Sequence, residues 1–315
     1  MGNNNELLII VFSYNRAMQL EAMLRSVRKH FSLESGRYRI KVIYHTSGHH
    51  AESYSRLRGK WTEEQGVTFS ERGKGKGFLN DVLPLLFHGR NAFWFAKYPF
   101  LRKSRDDFKT LLESEIEESS AGHLMFMTDD SAFYRPTVIP SGVLEEISRH
   151  PFESSYRLYV GRNLRDAPSE LSESSGILHW DYYDSRLRHH WIYPFSVDGT
   201  IYARSAFLKI ARNVLYANPN SLEGFMCFTA IRHRLFNHGM SPVVATLVGV
   251  SINRVQKVAV NDSGSADVEL LNDLFLKGFA LDYAIPENLD WSHFIPDHVF
   301  AERGDERMEV CCRIH

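Results

Sequence analysis

Apolar and polar positions fall in alternating blocks along this chain. Leu7 to Ser13 is an apolar run that stops at the polar cluster Ser13-Tyr-Asn-Arg16, the pattern of a strand buried on both faces. Leu20, Met23, Leu24, Val27 and Phe31 follow at helical spacing, which predicts a helix over 17–31. Arg39–Tyr44 reads as a second strand, leading into the polar loop Thr46–His50, and Val67–Phe69 as a weaker third. Asn80–Phe87 and the acidic stretch 104–120 read as helices. His123–Thr128 is another buried strand, and it stops at Asp129-Asp130-Ser131. Strand and helix thus alternate through the first 130 residues, the signature of a doubly wound α/β sheet. In such sheets the strand C-termini share one edge, where ligands bind. Three polar clusters, Ser13–Arg16, His45–His50 and Thr128–Ser131, all fall at predicted strand C-termini and so converge on one crevice.

Beyond Pro136 the pattern loosens. Tyr156–Val160 reads as a strand, 163–176 as a polar loop, and Asp198–Arg204 as a short strand before a helix over Ser205–Val214 capped by Ser205. A helix over 221–238, a strand over Val243–Val250 and a helix over 266–280 complete the reading. The expected organisation is a ligand-binding half over 1–135, a second half of the same domain over 136–260, and a C-terminal helical extension over 261–315.

Composition narrows the classes. The 315 residues are 43% hydrophobic and 24% charged, values of a soluble globular chain with a large core. The formal charge of −1 lacks the global basic bias of many nucleic-acid binders, and no nucleic-acid partner is expected. Cys227, Cys311 and Cys312 form neither a disulfide framework nor a zinc pattern, which points to a reducing compartment. No apolar stretch approaches the roughly 20 residues of a spanning helix, and the N-terminal run is too short for a signal peptide.

The candidate chemistry starts at Asp129-Asp130. Adjacent carboxylates at a strand end repel each other and ionise together only when a cation or donors compensate. Mn²⁺ or Mg²⁺ sharing phosphate oxygens would do so, making both residues candidate metal ligands. Gly73-Lys-Gly-Lys-Gly77 can cradle a diphosphate with backbone N–H groups, with Lys74 or Lys76 neutralising charge, although it matches neither the dinucleotide nor the Walker spacing.

The strand Ile9-Ile-Val-Phe-Ser-Tyr-Asn-Arg16 and the segment Met125-Phe-Met-Thr-Asp-Asp-Ser131, about 115 residues apart, resemble the GT-A glycosyltransferases, particularly the family-2-like sugar transferases of bacteria. The third position of the acidic motif is Ser131 where the family pattern carries a carboxylate. The resemblance spans residues 6 to 255 and rests chiefly on the two motifs. It implies a GT-A-like doubly wound mixed sheet with helices on both faces. It also implies a nucleotide-sugar donor, with Ser13, Tyr14, Asn15 and Arg16 beside its base and ribose and Asp129 at the donor. The residue chemistry agrees, since a tyrosine stacks on a base and Asn and Arg satisfy polar edges; Asn15 as a cap of the next helix is the structural alternative. Thr46 and Ser47 can hydrogen-bond base or ribose, Asn80 lies near the sugar, and Arg254 suits a leaving phosphate.

The acceptor side falls in the second half. Trp191 and Tyr193 offer aromatic faces to a sugar. Glu223, expected in the first turn of its helix, is the candidate catalytic base by resemblance to inverting transferases, with Asp198 next. The expected activity is transfer of a hexose-like sugar to a hydroxyl of a saccharide or lipid-linked saccharide, in polysaccharide assembly. The protein is expected to be cytoplasmic, reaching the inner face of the membrane only peripherally. Two other readings stay open: a non-catalytic carbohydrate-binding or scaffolding protein, and another nucleotide-using enzyme such as a nucleotidyltransferase, which would need a glycine after the first strand.

Overall fold

The computed structural model describes residues 5–73, 83–103, 107–253 and 263–312. The order begins β1 (Glu6–Tyr14), α1 (Ala17–His30), β2 (Phe31–Leu33), β3 (Arg37–His45), α2 (His50–Lys60) and β4 (Val67–Glu71). Next come α3 (Asn91–Lys97), α4 (Pro99–Lys103), α5 (Phe108–Glu118), β5 (His123–Thr128), β6 (Ser131–Phe133), β7 (Thr137–Ile139) and α6 (Ser141–Arg149). The second half contributes β8 (Ser154–Arg157), β9 (Ser172–Ser174), β10 (Ile177–Asp181), β11 (Thr200–Ala203), α7 (Arg204–Ala211), α8 (Pro219–His233), β12 (His238–Pro242) and β13 (Leu247–Val250). The chain finishes with α9 (Val268–Leu276), β14 (Ala280–Asp282), β15 (His293–Phe294), β16 (His298–Arg303) and β17 (Glu306–Cys312).

A nine-stranded mixed sheet organises the α/β fold, in the order β4-β3-β1-β5-β11-β8-β12-β10-β9. The four strands of the first half run parallel; β11 lies antiparallel to β5 and to β8. The chain winds outward from β1 through β3 to β4 and returns to β1's other side as β5, so a switch point lies between β1 and β5. Register places Phe12 opposite Thr128, which brings Ser13–Arg16 and Asp129-Asp130 side by side at the strand ends. On these two strands Ile9, Ile10, Val11, Met125, Phe126 and Met127 pack without solvent exposure, as expected for strands covered on both faces.

Several expected elements differ in detail. The loop after β3 passes straight into α2, whose buried positions are His50, Ser53, Tyr54 and Leu57; the stripe has helical spacing, but half of it is polar. Ser205 caps nothing: α7 begins at Arg204 and its N-cap is Ala203, without a side-chain bond. Among the described residues of the C-terminal part only 268–276 are α-helical; β14, β16 and β17 form an antiparallel sheet there, with Val299 and Ala301 fully buried. The helix expected over 80–87 falls partly outside the described residues.

Candidate functional site

Asp129 is the centre of a closed polar hub. Its Oδ2 accepts from Ser13 Oγ at 2.8 Å and from the Tyr14 N–H at 3.1 Å, and its Oδ1 accepts from Arg16 Nη1 at 3.1 Å. The same Nη1 donates to Asp130 Oδ2 at 2.9 Å. Arg16 Nη2 donates to the Asn253 carbonyl at 2.7 Å, tying in the segment beyond β13. Tyr54 of α2 completes the hub: its hydroxyl accepts the Arg16 N–H at 3.2 Å and lies 2.5 Å from Ser13 Oγ. Because Ser13 spends its proton on Asp129, the Tyr54 hydroxyl is the donor in that short contact. Burial pushes the Asp129 carboxyl up to about 6, against the pull of Arg16 and Ser13, so it is mainly ionised at neutral pH.

The hub forms one end of a cleft of about 410 Å³ at the switch point. Tyr14, Arg72 and Phe108 line one wall, with the Arg72 guanidinium over the Phe108 ring at 4.6 Å. Asp198 and Glu223 face it from the second half. Glu223 is aimed by the Val197 N–H, which donates to its Oε1 at 3.1 Å. Asp198 accepts from Thr128 Oγ1 at 3.3 Å. Burial first, then the charges of Glu223 and Asp130, push the Asp198 carboxyl up to about 8. The turn that presents it needs glycine at 199: φ is +55°, and a Cβ there would stand 2.1 Å from Leu247 Cδ2. Across the cleft, the Tyr159 hydroxyl lies 3.0 Å from His293 Nε2, and Gly249 lets that ring approach the strand, a Cβ there standing 3.3 Å from it.

The residues singled out from the sequence divide into three groups. Ser13, Tyr14, Arg16, Asp129, Asp130, Asp198 and Glu223 all line the cleft. Asn15, Thr46 and Ser47 do not. Asn15 adopts φ +53° and caps no helix; its side chain bridges to Ser47, donating to Oγ at 2.7 Å and accepting the Ser47 N–H at 2.9 Å. Thr46 donates to Glu71 at 3.0 Å. Trp191 is fully buried against Trp180, ring centres 5.0 Å apart, and so presents no face to a ligand; Tyr193 is exposed but does not line the cleft. Lys76, Asn80 and Arg254 lie outside the described residues. Glu223 sits a turn deeper than expected, because α8 starts at Pro219 under a capping box of Asn218 and Ser221.

The donor set separates the two aspartates as cation ligands. Asp129 has both oxygens engaged by Arg16, Ser13 and Tyr14 and does not fit a divalent cation. Asp130, with its side chain 28% exposed toward the cleft, does fit one. Among the described residues no group of three His, Cys, Asp or Glu side chains is arranged to hold a metal. Sequence reasoning overlooked Tyr54, Arg72, Phe108, Tyr159 and His293; of these, Tyr54 alone left a trace, in the i, i+3, i+4, i+7 spacing of His50, Ser53, Tyr54 and Leu57.

No family model matches the chain, and no curated protein matches it. Solved structures with a similar backbone include S. aureus TarS 1–349, at 14% identity and TM-score 0.39, covering 76% of this chain and 58% of that one. The same protein in complex with UDP-GlcNAc matches at 12% identity and TM-score 0.40, covering 81% and 62%. Mannosyltransferase PcManGT from Pyrobaculum calidifontis, in complex with GDP-Man and Mn²⁺, matches at 11% identity and TM-score 0.29, covering 50% and 36%. The chain therefore spans less than two thirds of the length of each of these structures.

Proposed function

We propose that this protein is a glycosyltransferase that moves a sugar from a nucleotide-sugar donor to an acceptor hydroxyl, with inversion. The observation that carries the reading is the convergence of Asp130, Asp198 and Glu223 on one cleft at the sheet's switch point, from three separate segments. The Tyr14, Arg72 and Phe108 wall suits an aromatic base beside phosphates, since it combines ring faces with a guanidinium. Arg16 places a fixed positive charge beside both aspartates, which limits their repulsion of an anionic donor. Asp130 would hold a divalent cation, whose chemistry would be to neutralise the leaving diphosphate.

Glu223 is the proposed base. Its carboxylate is oriented by the Val197 N–H and takes the proton from the acceptor hydroxyl as that oxygen attacks the anomeric carbon. Asp198 keeps its proton through neutral pH and so donates a hydrogen bond to a sugar or acceptor hydroxyl. Two neighbouring carboxyls with environments that separate their protonation states can divide the work of base and donor.

The test is a thermal-shift panel of UDP, GDP, CMP and dTDP sugars with Mn²⁺, followed by donor hydrolysis with the best binder. One donor should raise the melting temperature and be hydrolysed slowly without acceptor. Absence of both binding and hydrolysis across the panel refutes the transferase reading and favours a scaffolding role.

A further inference from the structure

The described surface carries an apolar and basic face that the cleft does not use. Phe87 is 93% exposed and Phe93 53%, large apolar side chains left in water. Arg90, Phe93 and Lys97 recur at helical spacing, so they share one face of α3 and the turn before it. That face continues onto α8, where the Arg90 guanidinium lies over the Phe228 ring at 5.2 Å. Phe228 and Ile231, 37% and 49% exposed, then follow on one side of α8. Arg232 is exposed next to Ile231.

The charge of this face has one sign. Residues 82–101 contain no Asp or Glu, while Arg90 and Lys97 fall within them. Arg90 and Lys97 make cation–π contacts but no ion pair among the described residues. The chain as a whole is neutral to within one charge, so the local excess is a feature of this surface and not of the composition. Basic side chains interleaved with exposed Phe and Ile match an anionic interface that has a hydrocarbon layer behind it. A nucleic acid would answer the charge and the rings but leaves Ile231 and Leu83, 57% exposed, without a partner.

We propose that the face formed by Phe87, Arg90, Phe93 and Lys97, with Phe228 and Ile231, seats this protein on an anionic bilayer. Among the described residues no helix is long and apolar enough to cross a membrane, so the seating is interfacial. It also sets an orientation. Phe228 and Ile231 lie five and eight residues along α8 from Glu223, about 7.5 and 12 Å at 1.5 Å per residue. The cleft would therefore be held close to the lipid headgroups.

The experiment is co-sedimentation of the full chain with extruded vesicles of phosphatidylcholine alone, or with roughly a third phosphatidylglycerol, over a salt series. The protein should pellet with the anionic vesicles, stay in solution with the neutral ones, and dissociate as salt rises. Arg90→Glu with Lys97→Glu should weaken binding at least about 25-fold, at about fivefold for each cation lost. Phe87→Ser with Phe93→Ser should also weaken it while leaving the salt slope unchanged. Melting temperatures equal to wild type show that both variants, built at exposed positions, are folded. If the wild type does not bind anionic vesicles, or if the charge-reversed protein binds them equally well, the proposal is overturned. A fluorescent single-stranded oligonucleotide forms the competing arm; tighter binding to it than to vesicles would identify a nucleic-acid surface instead.

Discussion

Replacing Asp198 by Asn should stabilise the protein, and the gain should grow as pH rises from about 4 to about 8. The folded state keeps the Asp198 proton up to about 8, whereas the unfolded chain releases it near the ordinary value of 3.8. Between those limits the folded state binds more protons than the unfolded one, so wild-type stability falls with rising pH. The amide of Asp198→Asn does not titrate, which removes that loss and changes little in shape. The gap is roughly four pKa units, and at about 1.4 kcal/mol each the ceiling is near 5–6 kcal/mol. Asp198 touches cleft solvent, and its neighbours share the effect, so we discount the figure to about 2 kcal/mol, or roughly 3–6 °C in melting temperature. Asp129 titrates in both proteins and cancels. The assay is differential scanning calorimetry of both proteins at constant ionic strength, at about pH 5 and about pH 8. The variant should melt clearly higher at the upper pH and nearly level with wild type at the lower. A difference that does not change with pH, or a variant no more stable at the upper pH, would show that the carboxyl is not held protonated and remove its role as a donor.

Three other outcomes test separate parts of the site. Glu223→Gln should lower turnover by roughly 10²- to 10⁴-fold in steady-state assays with little change in donor affinity, because Gln keeps the contact to Val197 but takes no proton. Turnover within threefold of wild type would eliminate Glu223 as the base. Arg16→Met should cost about 3–5 kcal/mol in urea unfolding, since it leaves Asp129 buried without its cation; a loss below about 1 kcal/mol would mean the hub is not a single unit. Asp130→Asn should reduce Mn²⁺-dependent donor affinity in calorimetric titration while leaving the fold intact, whereas Asp129→Asn should mainly lower the melting temperature; equal effects on affinity would return Asp129 to the ligand set.

Legibility from sequence followed the strength of the local signal. The sheet's first half was readable because Leu7–Phe12 and Leu124–Met127 are continuous apolar runs that end abruptly in polar clusters. The strand-end rule then placed Tyr14, Arg16, Asp129 and Asp130 together correctly. The role of Arg16 was not readable, because an arginine beside a ligand and one buried between two aspartates have the same sequence. Trp191 looked like a sugar platform on composition, yet aromatic richness in that stretch reflects a second core built with Trp180, Tyr182 and Leu178. Tyr159 and His293 stand 134 residues apart and meet only because β15 pairs with β13 beneath them, a contact without local periodicity. The C-terminal sheet escaped because its strands alternate only briefly: in β16 the buried positions are Val299 and Ala301, before the turn at Gly304.

The hub around Arg16 also bears on how the protein acquires its site. Its bonds join residues separated by 113, 114, 116 and 237 positions, and the most distant partner is Asn253. Contacts of such range form late, because the entropy of closing the intervening chain must be met first. During synthesis the two aspartates emerge long before Asn253, so the clamp on Arg16 is incomplete until that residue has left the ribosome. A nascent chain stopped at β12 would carry both acidic side chains and their arginine without the carbonyl that fixes the guanidinium's far side. Closure of the hub should therefore come in one step once Asn253 is in place, and not grow gradually with the sheet.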